Sequence, residues 1–143
     1  MRTLLLACAA LSLACSDNGP DTPDPMAEVR GSWTSESWEF RGVDNPAQKL
    51  DLIDAGFTGT LDVQPSGAFT ISLNFQGDES VQTGTLSVRG DKLVFSTEDG
   101  EVLLKYTSAG GTMIWDTTVP EEGDIDADGV EDSFTEHVVF RRS

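Results

Sequence analysis

From Val29 to the end of the chain, apolar and polar residues alternate with a period of two, and short turn sequences interrupt this alternation. In the run FTISLNFQ at 69–76, for example, every odd-numbered residue is large and apolar. Such alternation is typical of a strand with one buried face and one solvated face. The pattern predicts about eight strands, near 31–40, 57–64, 68–76, 80–89, 92–97, 101–108, 112–118 and 133–142.

Between these runs lie short turns that contain glycine, which tight hairpins favour because it adopts positive φ readily. They are PSG at 65–67, GD at 77–78, GD at 90–91, DG at 99–100 and GG at 110–111. Consecutive hairpins make an up-and-down meander, and eight such strands can close into a barrel that leaves no exposed edge. A two-sheet sandwich is the alternative, but it normally needs longer crossover connections. The single predicted helix lies at 46–55.

The chain has 143 residues, of which 38% are hydrophobic, including seven phenylalanines and three tryptophans. This composition favours one domain with a real core. We therefore divide the chain into a signal peptide at 1–14, an anchor and tether at 15–28, and an all-β barrel at 29–143.

The N-terminus has the character of an export signal. Arg2 precedes a Leu/Ala-rich run that is too short to span a bilayer as a helix. The sequence LSLAC at 11–15 resembles a bacterial lipobox, which implies that Cys15 becomes the lipid-anchored N-terminus. An ordinary secretory signal with an incidental Cys15 is the alternative. The following SDNGPDTPDP at 16–25 is predicted to be a flexible acidic tether.

Two motifs at the ends of the predicted barrel give a family resemblance: Gly31-Ser32-Trp33 in the first strand and Phe140-Arg141-Arg142 in the last. Over 29–143 the chain resembles the lipocalin-like (calycin-type) lipoproteins of bacteria. The resemblance implies that Arg142 packs on Trp33 and closes one end of the barrel. It also implies a protein of the cell envelope that holds a small apolar ligand. Ser16, directly after the predicted anchor cysteine, is compatible with sorting to the outer membrane, where the barrel would face the periplasm or the surface.

The alternative function is that of a structural or interaction module. The phenylalanines and tryptophans are numerous enough to fill the interior of an eight-stranded barrel, which would leave no room for a ligand.

An acidic run near the last strand follows the pattern D-x-D-x-D-G-x-x-D, as in calcium loops. Alternate carboxylates can converge on one hard cation when Gly129 permits a sharp turn. The twelfth position of such a loop is Thr135, with an acid one place later. This acid, Glu136, either completes the calcium site or faces the interior of the barrel. The predicted calcium ligands are Asp124, Asp126, Asp128, Val130 through its carbonyl group, Asp132 and Glu136. A merely solvated acidic loop is the alternative.

The formal net charge of −16 disfavours binding to nucleic acid or to anionic lipid surfaces and favours cationic ligands. The membrane is therefore expected to be a partner through the lipid anchor only.

Both cysteines lie at or before position 15, so the barrel has neither a disulfide nor a cysteine nucleophile. His137 is the single histidine and is expected at the surface without a partner. These observations predict a protein that is not an enzyme.

Overall fold

The computed structural model describes residues 23–143, which form an all-β domain without an α-helix. The predicted signal peptide and Cys15 lie outside the described residues. The strands are β1 (Gly31–Gly42), β2 (Lys49–Asp51), β3 (Phe57–Val63), β4 (Ala68–Phe75), β5 (Asp78–Arg89), β6 (Lys92–Thr97), β7 (Gly100–Ala109), β8 (Thr112–Thr117), β9 (Glu121–Gly123) and β10 (Asp132–Arg142).

Eight of these strands close into an antiparallel barrel, as the alternation predicts. Strands β3 to β8 pair in sequence order, β8 pairs with β10, and β10 pairs with β1, which in turn pairs with β3. Closure gives the first and last strands a partner on both sides. The prediction of an eight-stranded up-and-down barrel is confirmed, and two short extra strands accompany it.

The helix predicted at 46–55 is wrong. Strand β2 takes up the middle of that segment and pairs with β1 over Glu39–Arg41, and hydrogen-bonded turns follow it up to Gly56. The reason lies in β1, whose ladder with β3 extends only from Gly31 to Thr34. The rest of that edge of β1 offers unpaired backbone groups, and β2 satisfies them in place of helical hydrogen bonds.

The strand directions give the barrel two different ends. At the end that we call the closed end lie the starts of β1 and β4, the last residues of β10, and the segment 24–30 that precedes β1. The last residues assigned to the tether, 24–28, make a turn at this end, and Met26 packs against the core. At the opposite end, which we call the open end, lie the connections 43–56, 76–77, 98–99 and 118–131.

The interior of the barrel is packed mainly by aromatic rings in its middle and at its closed end. Trp115 contacts Phe140, Phe95 and Trp38, with ring centroids 4.6, 5.3 and 6.1 Å apart, all in edge-to-face orientation. Edge-to-face packing is a favoured arrangement of aromatic pairs. Trp33 and Phe140 are almost completely buried, and the core is therefore densest on the side of the closed end.

Candidate functional site

A cavity of about 320 Å³ lies between this aromatic layer and the open end of the barrel. Its apolar wall is formed by inward-facing residues of five strands, namely Trp38, Ile71, Leu73, Phe95, Leu104 and Trp115. Period-two alternation explains this arrangement, because every second residue of a barrel strand faces the interior. The cavity is thus built on strands rather than on loops.

The side of the cavity next to β5 is not covered by a complete sheet. The ladder between β4 and β5 continues to the pair Phe75–Asp78, whereas the ladder between β5 and β6 stops at Thr85–Ser96. Residues 78–84 of β5 therefore have a strand partner on one side only, and 78–83 are exposed. Gln82 in this stretch lines the cavity. This side of the cavity is therefore not closed by a second strand beside β5.

Glu136 is the most enclosed acid of the cavity wall. The indole Nε1–H of Trp38 donates a hydrogen bond of 3.2 Å to the carboxylate of Glu136. The backbone N–H of Glu136 donates a hydrogen bond of 2.9 Å to Oγ1 of Thr117. Burial, together with the nearby carboxylate of Glu121, raises the pKa of Glu136 above its ordinary value of 4.5. Of the two orientations left open by the sequence, the structure gives Glu136 the one that faces the barrel.

At the closed end, the structure brings Trp33 and Arg142 together. The guanidinium carbon of Arg142 lies 4.5 Å from the centroid of the Trp33 ring. The guanidinium group also donates hydrogen bonds to the carbonyl oxygens of Arg30 (2.8 Å) and Glu28 (2.9 Å). These contacts fix the segment before β1 across the end of the barrel.

Gly31 is required for this closure. Its φ of +116° is a conformation that residues with a side chain rarely adopt, and a Cβ atom there would lie 2.8 Å from Nη1 of Arg142. The glycine of the Gly-Ser-Trp motif therefore leaves room for the arginine that covers the tryptophan.

The acidic loop brings three of its predicted ligands together. One carboxylate oxygen from each of Asp124, Asp126 and Asp128 lies within 4.8 Å of the others, and all three side chains are exposed. The carboxylate of Asp124 accepts hydrogen bonds from the backbone N–H groups of Asp128 (3.1 Å) and Gly129 (2.9 Å). Gly129 makes this turn with a φ of +88°. This cluster could hold a metal ion.

The remaining predicted ligands are placed differently. Asp132 is tied to Asp126 through Gln48, whose Nε2 donates hydrogen bonds of 2.9 and 2.8 Å to the two carboxylates. Val130 has an exposed side chain, and its backbone N–H donates to Asp128 at 2.8 Å. Glu136 is not a member of the three-aspartate cluster. Sequence reasoning missed Gln48, because nothing in the spacing relates it to a loop 76 residues and more away along the chain.

His137 has a partner that the sequence did not reveal. Its Nδ1 lies 2.7 Å from a carboxylate oxygen of Asp116, on the neighbouring strand β8. The two residues are cross-strand neighbours in register, so the barrel topology alone brings them together. Position on one outer face, rather than a catalytic motif, accounts for this contact.

Among residues 23–143, no helix is long and apolar enough to cross a membrane.

No protein-family model matches the chain, and no curated protein matches it either.

Proposed function

We propose that this chain is a non-enzymatic binding protein that holds a small molecule with an apolar body in the cavity of its barrel. The observation that supports this function is the cavity of about 320 Å³ above the aromatic layer. Its volume falls at the lower end of the range of about 300–1,000 Å³ that is usual for small-molecule sites. A wall of aromatic and aliphatic side chains is also typical of such sites.

Binding in this cavity would be driven by the removal of apolar surface from water. Trp38, Phe95 and Trp115 are each at most 7% exposed and are held by edge-to-face contacts, so they require little ordering when a ligand arrives. The uncovered part of β5 would allow a ligand to enter without opening of the whole barrel.

A cavity-filling substitution tests this proposal. Leu73 lines the cavity, and Leu73→Trp should weaken binding of the neutral fluorescent probe N-phenyl-1-naphthylamine about tenfold or more. Ile114 lies on β8 between the buried, inward-facing residues Met113 and Trp115, so its side chain points outward. Ile114→Trp therefore adds the same ring outside the cavity and should leave the affinity unchanged. Absence of probe binding to the wild-type protein, or equal loss in the two variants, would contradict the proposal.

The second candidate is a structural or interaction module with a filled barrel. It is supported by the half of the interior near the closed end, where Trp33, Met113 and Phe140 are almost completely buried. If this candidate is correct, the cavity takes up only water, and Leu73→Trp stabilises the protein without affecting the binding of any probe.

We further propose that the barrel is anchored to the cell envelope, in the outer membrane, through acylated Cys15. The support is the Leu/Ala-rich run before this cysteine and the Pro/Asp-rich stretch after it. Several acyl chains are needed for stable attachment, since one chain alone binds a bilayer only marginally.

The metal ion that we propose for the acidic loop is calcium. Hard carboxylate and carbonyl oxygens are the ligands that calcium prefers, and the support is the cluster of Asp124, Asp126 and Asp128. Asp132 and the carbonyl oxygen of Val130 would complete the shell. Gln48 would join it if its amide turned the oxygen toward the ion in place of the NH₂ group. With Glu136 directed into the barrel, we expect weak binding, with a Kd of about 10⁻⁴–10⁻³ M.

A further inference from the structure

The polar part of the cavity wall near the open end carries charge of one sign. Four acids line it: Asp99, Glu101, Glu121 and Glu136. Among the described residues that line the cavity there is no lysine, arginine or histidine. A one-sided charge distribution in a partly enclosed space concentrates the negative potential there.

Among residues 23–143, only one of these acids has a cationic neighbour within ion-pair distance, and that neighbour is weakly placed. Arg89 lies 4.0 Å from Glu101, and both side chains are more than half exposed. An ion pair of this kind contributes little. The described part of the chain therefore compensates little of the negative potential at the cavity.

Glu136 carries this charge furthest into the barrel. It touches Trp38, whose ring packs against Trp115 and Phe57, with centroids 6.1 and 4.9 Å away. An ionised carboxylate in such surroundings is unfavourable, and the elevated pKa of Glu136 reflects its burial and the proximity of Glu121. A cation between the two carboxylates would remove the unfavourable interaction.

We propose that the ligand of this barrel is an organic cation, a protonated amine or a quaternary ammonium group on an apolar body. This inference rests on the proposed binding function. The positive nitrogen lies between Glu136 and Glu121, close to the indole of Trp38, and the apolar body lies against Phe95, Leu104 and Trp115. Carboxylates combined with aromatic faces are the groups that recognise such cations.

Other ligand classes fit the same cavity less well. An anion would meet four carboxylates and no compensating base. A bare metal ion would leave the aromatic wall without a role, because hard cations prefer an all-oxygen shell. A neutral apolar molecule would bury surface equally well but would leave Glu136 and Glu121 repelling each other.

Three probes with one apolar body separate these cases: 4-phenylbutylamine, 4-phenylbutan-1-ol and 4-phenylbutanoate, titrated into the full chain at pH 7 with tryptophan fluorescence and calorimetry. We expect the amine to bind about tenfold or more tightly than the alcohol, since a charge-assisted contact replaces a neutral one. The carboxylate should bind more weakly than the alcohol.

Two variants locate the charge effect. Glu136→Gln should reduce the preference for the amine over the alcohol to about twofold or less, mainly by weakening the binding of the amine. Asp91→Asn removes a charge from the turn between β5 and β6 at the closed end and should leave the preference unchanged. Circular dichroism verifies that both variants are folded.

Each outcome has a separate meaning. If neither the amine nor the alcohol binds, the proposed function itself is wrong. If the alcohol binds as tightly as the amine, the cavity is an apolar site and the cation inference is overturned. If Glu136→Gln keeps the full preference for the amine, the placement of the nitrogen beside Glu136 is overturned.

Discussion

Replacement of Arg142 by methionine tests whether the closed end of the barrel is held by the guanidinium group. Methionine keeps an unbranched apolar stem over Trp33 but removes the charge and all donors. The variant loses the contact with the ring at 4.5 Å and the hydrogen bonds to the carbonyl oxygens of Glu28 and Arg30. The segment before β1 then loses the guanidinium group but keeps the hydrogen bonds that Trp33 Nε1–H donates to the carbonyl of Val29 and Ser108 Oγ donates to the carbonyl of Glu28.

The expected loss of stability follows from these contacts. A cation–π contact at an accessible site contributes about 0.5–1 kcal/mol, and each of two accessible hydrogen bonds about 1 kcal/mol. The free energy of unfolding should therefore fall by about 2–3 kcal/mol. With a urea m-value of about 1–3 kcal/mol/M, the midpoint should fall by about 0.7–3 M.

Urea denaturation followed by tryptophan fluorescence measures this loss, and the neighbouring arginine supplies the control. Arg141 makes an exposed ion pair with Glu36 at 2.7 Å, so Arg141→Met changes the net charge equally but should cost only about 0.2–1 kcal/mol. Equal destabilisation by the two substitutions would refute the role given to Arg142, since a general effect of charge would then explain both.

Three further predictions concern the anchor, the acidic loop and the buried acid. Cys15→Ser should move the protein from the membrane fraction to the soluble fraction, and retention in the membrane fraction would contradict acylation. Calcium at about a hundredfold excess over its Kd should stabilise the wild type by about 2.7 kcal/mol, as measured by thermal melting. It should not stabilise Asp126→Asn/Asp128→Asn, and an equal shift by magnesium would argue against a calcium site. Because the pKa of Glu136 is raised in the folded state, ionisation of Glu136 opposes folding. The stability contributed by its protonated form is fully present below the ordinary pKa of 4.5 and is lost as the pH rises through the raised pKa of the folded state. Glu136→Gln should therefore raise the melting temperature at pH 7 but not below the ordinary pKa of 4.5, and an equal gain at both pH values would contradict this.

The strands of the barrel were predictable because each one combines local alternation with a hairpin turn. For β6, for instance, the sequence predicts 92–97, and the structure places the strand at Lys92–Thr97. The pairing of Trp33 with Arg142 could also be anticipated, because closure of a meander makes the first and last strands neighbours. Both predictions depend on information that is local or that follows from topology.

The short strand β2 could not be predicted in the same way. Nothing in the sequence around Lys49–Asp51 shows that β1 separates from β3 after Thr34 and leaves an edge to be paired. Gln48 was missed for a related reason, since its two hydrogen bonds with the acidic loop depend on where β2 places it. The position of β2 and the contacts of Gln48 both depend on which part of the β1 edge is left without a partner from β3, and this is a property of the tertiary structure.

The unpaired stretch of β5, besides leaving one side of the cavity without a second strand, exposes a row of backbone groups to which a second copy of the chain could add a strand. Val81 in this stretch is 56% exposed, so such pairing would also bury apolar surface. Asp78 and Glu79 stand at the start of the stretch, and the chain carries a formal net charge of −16. Like-charge repulsion opposes such pairing, and since salt screens repulsion beyond about 10 Å at 0.1 M, we expect self-association through this edge to increase with ionic strength.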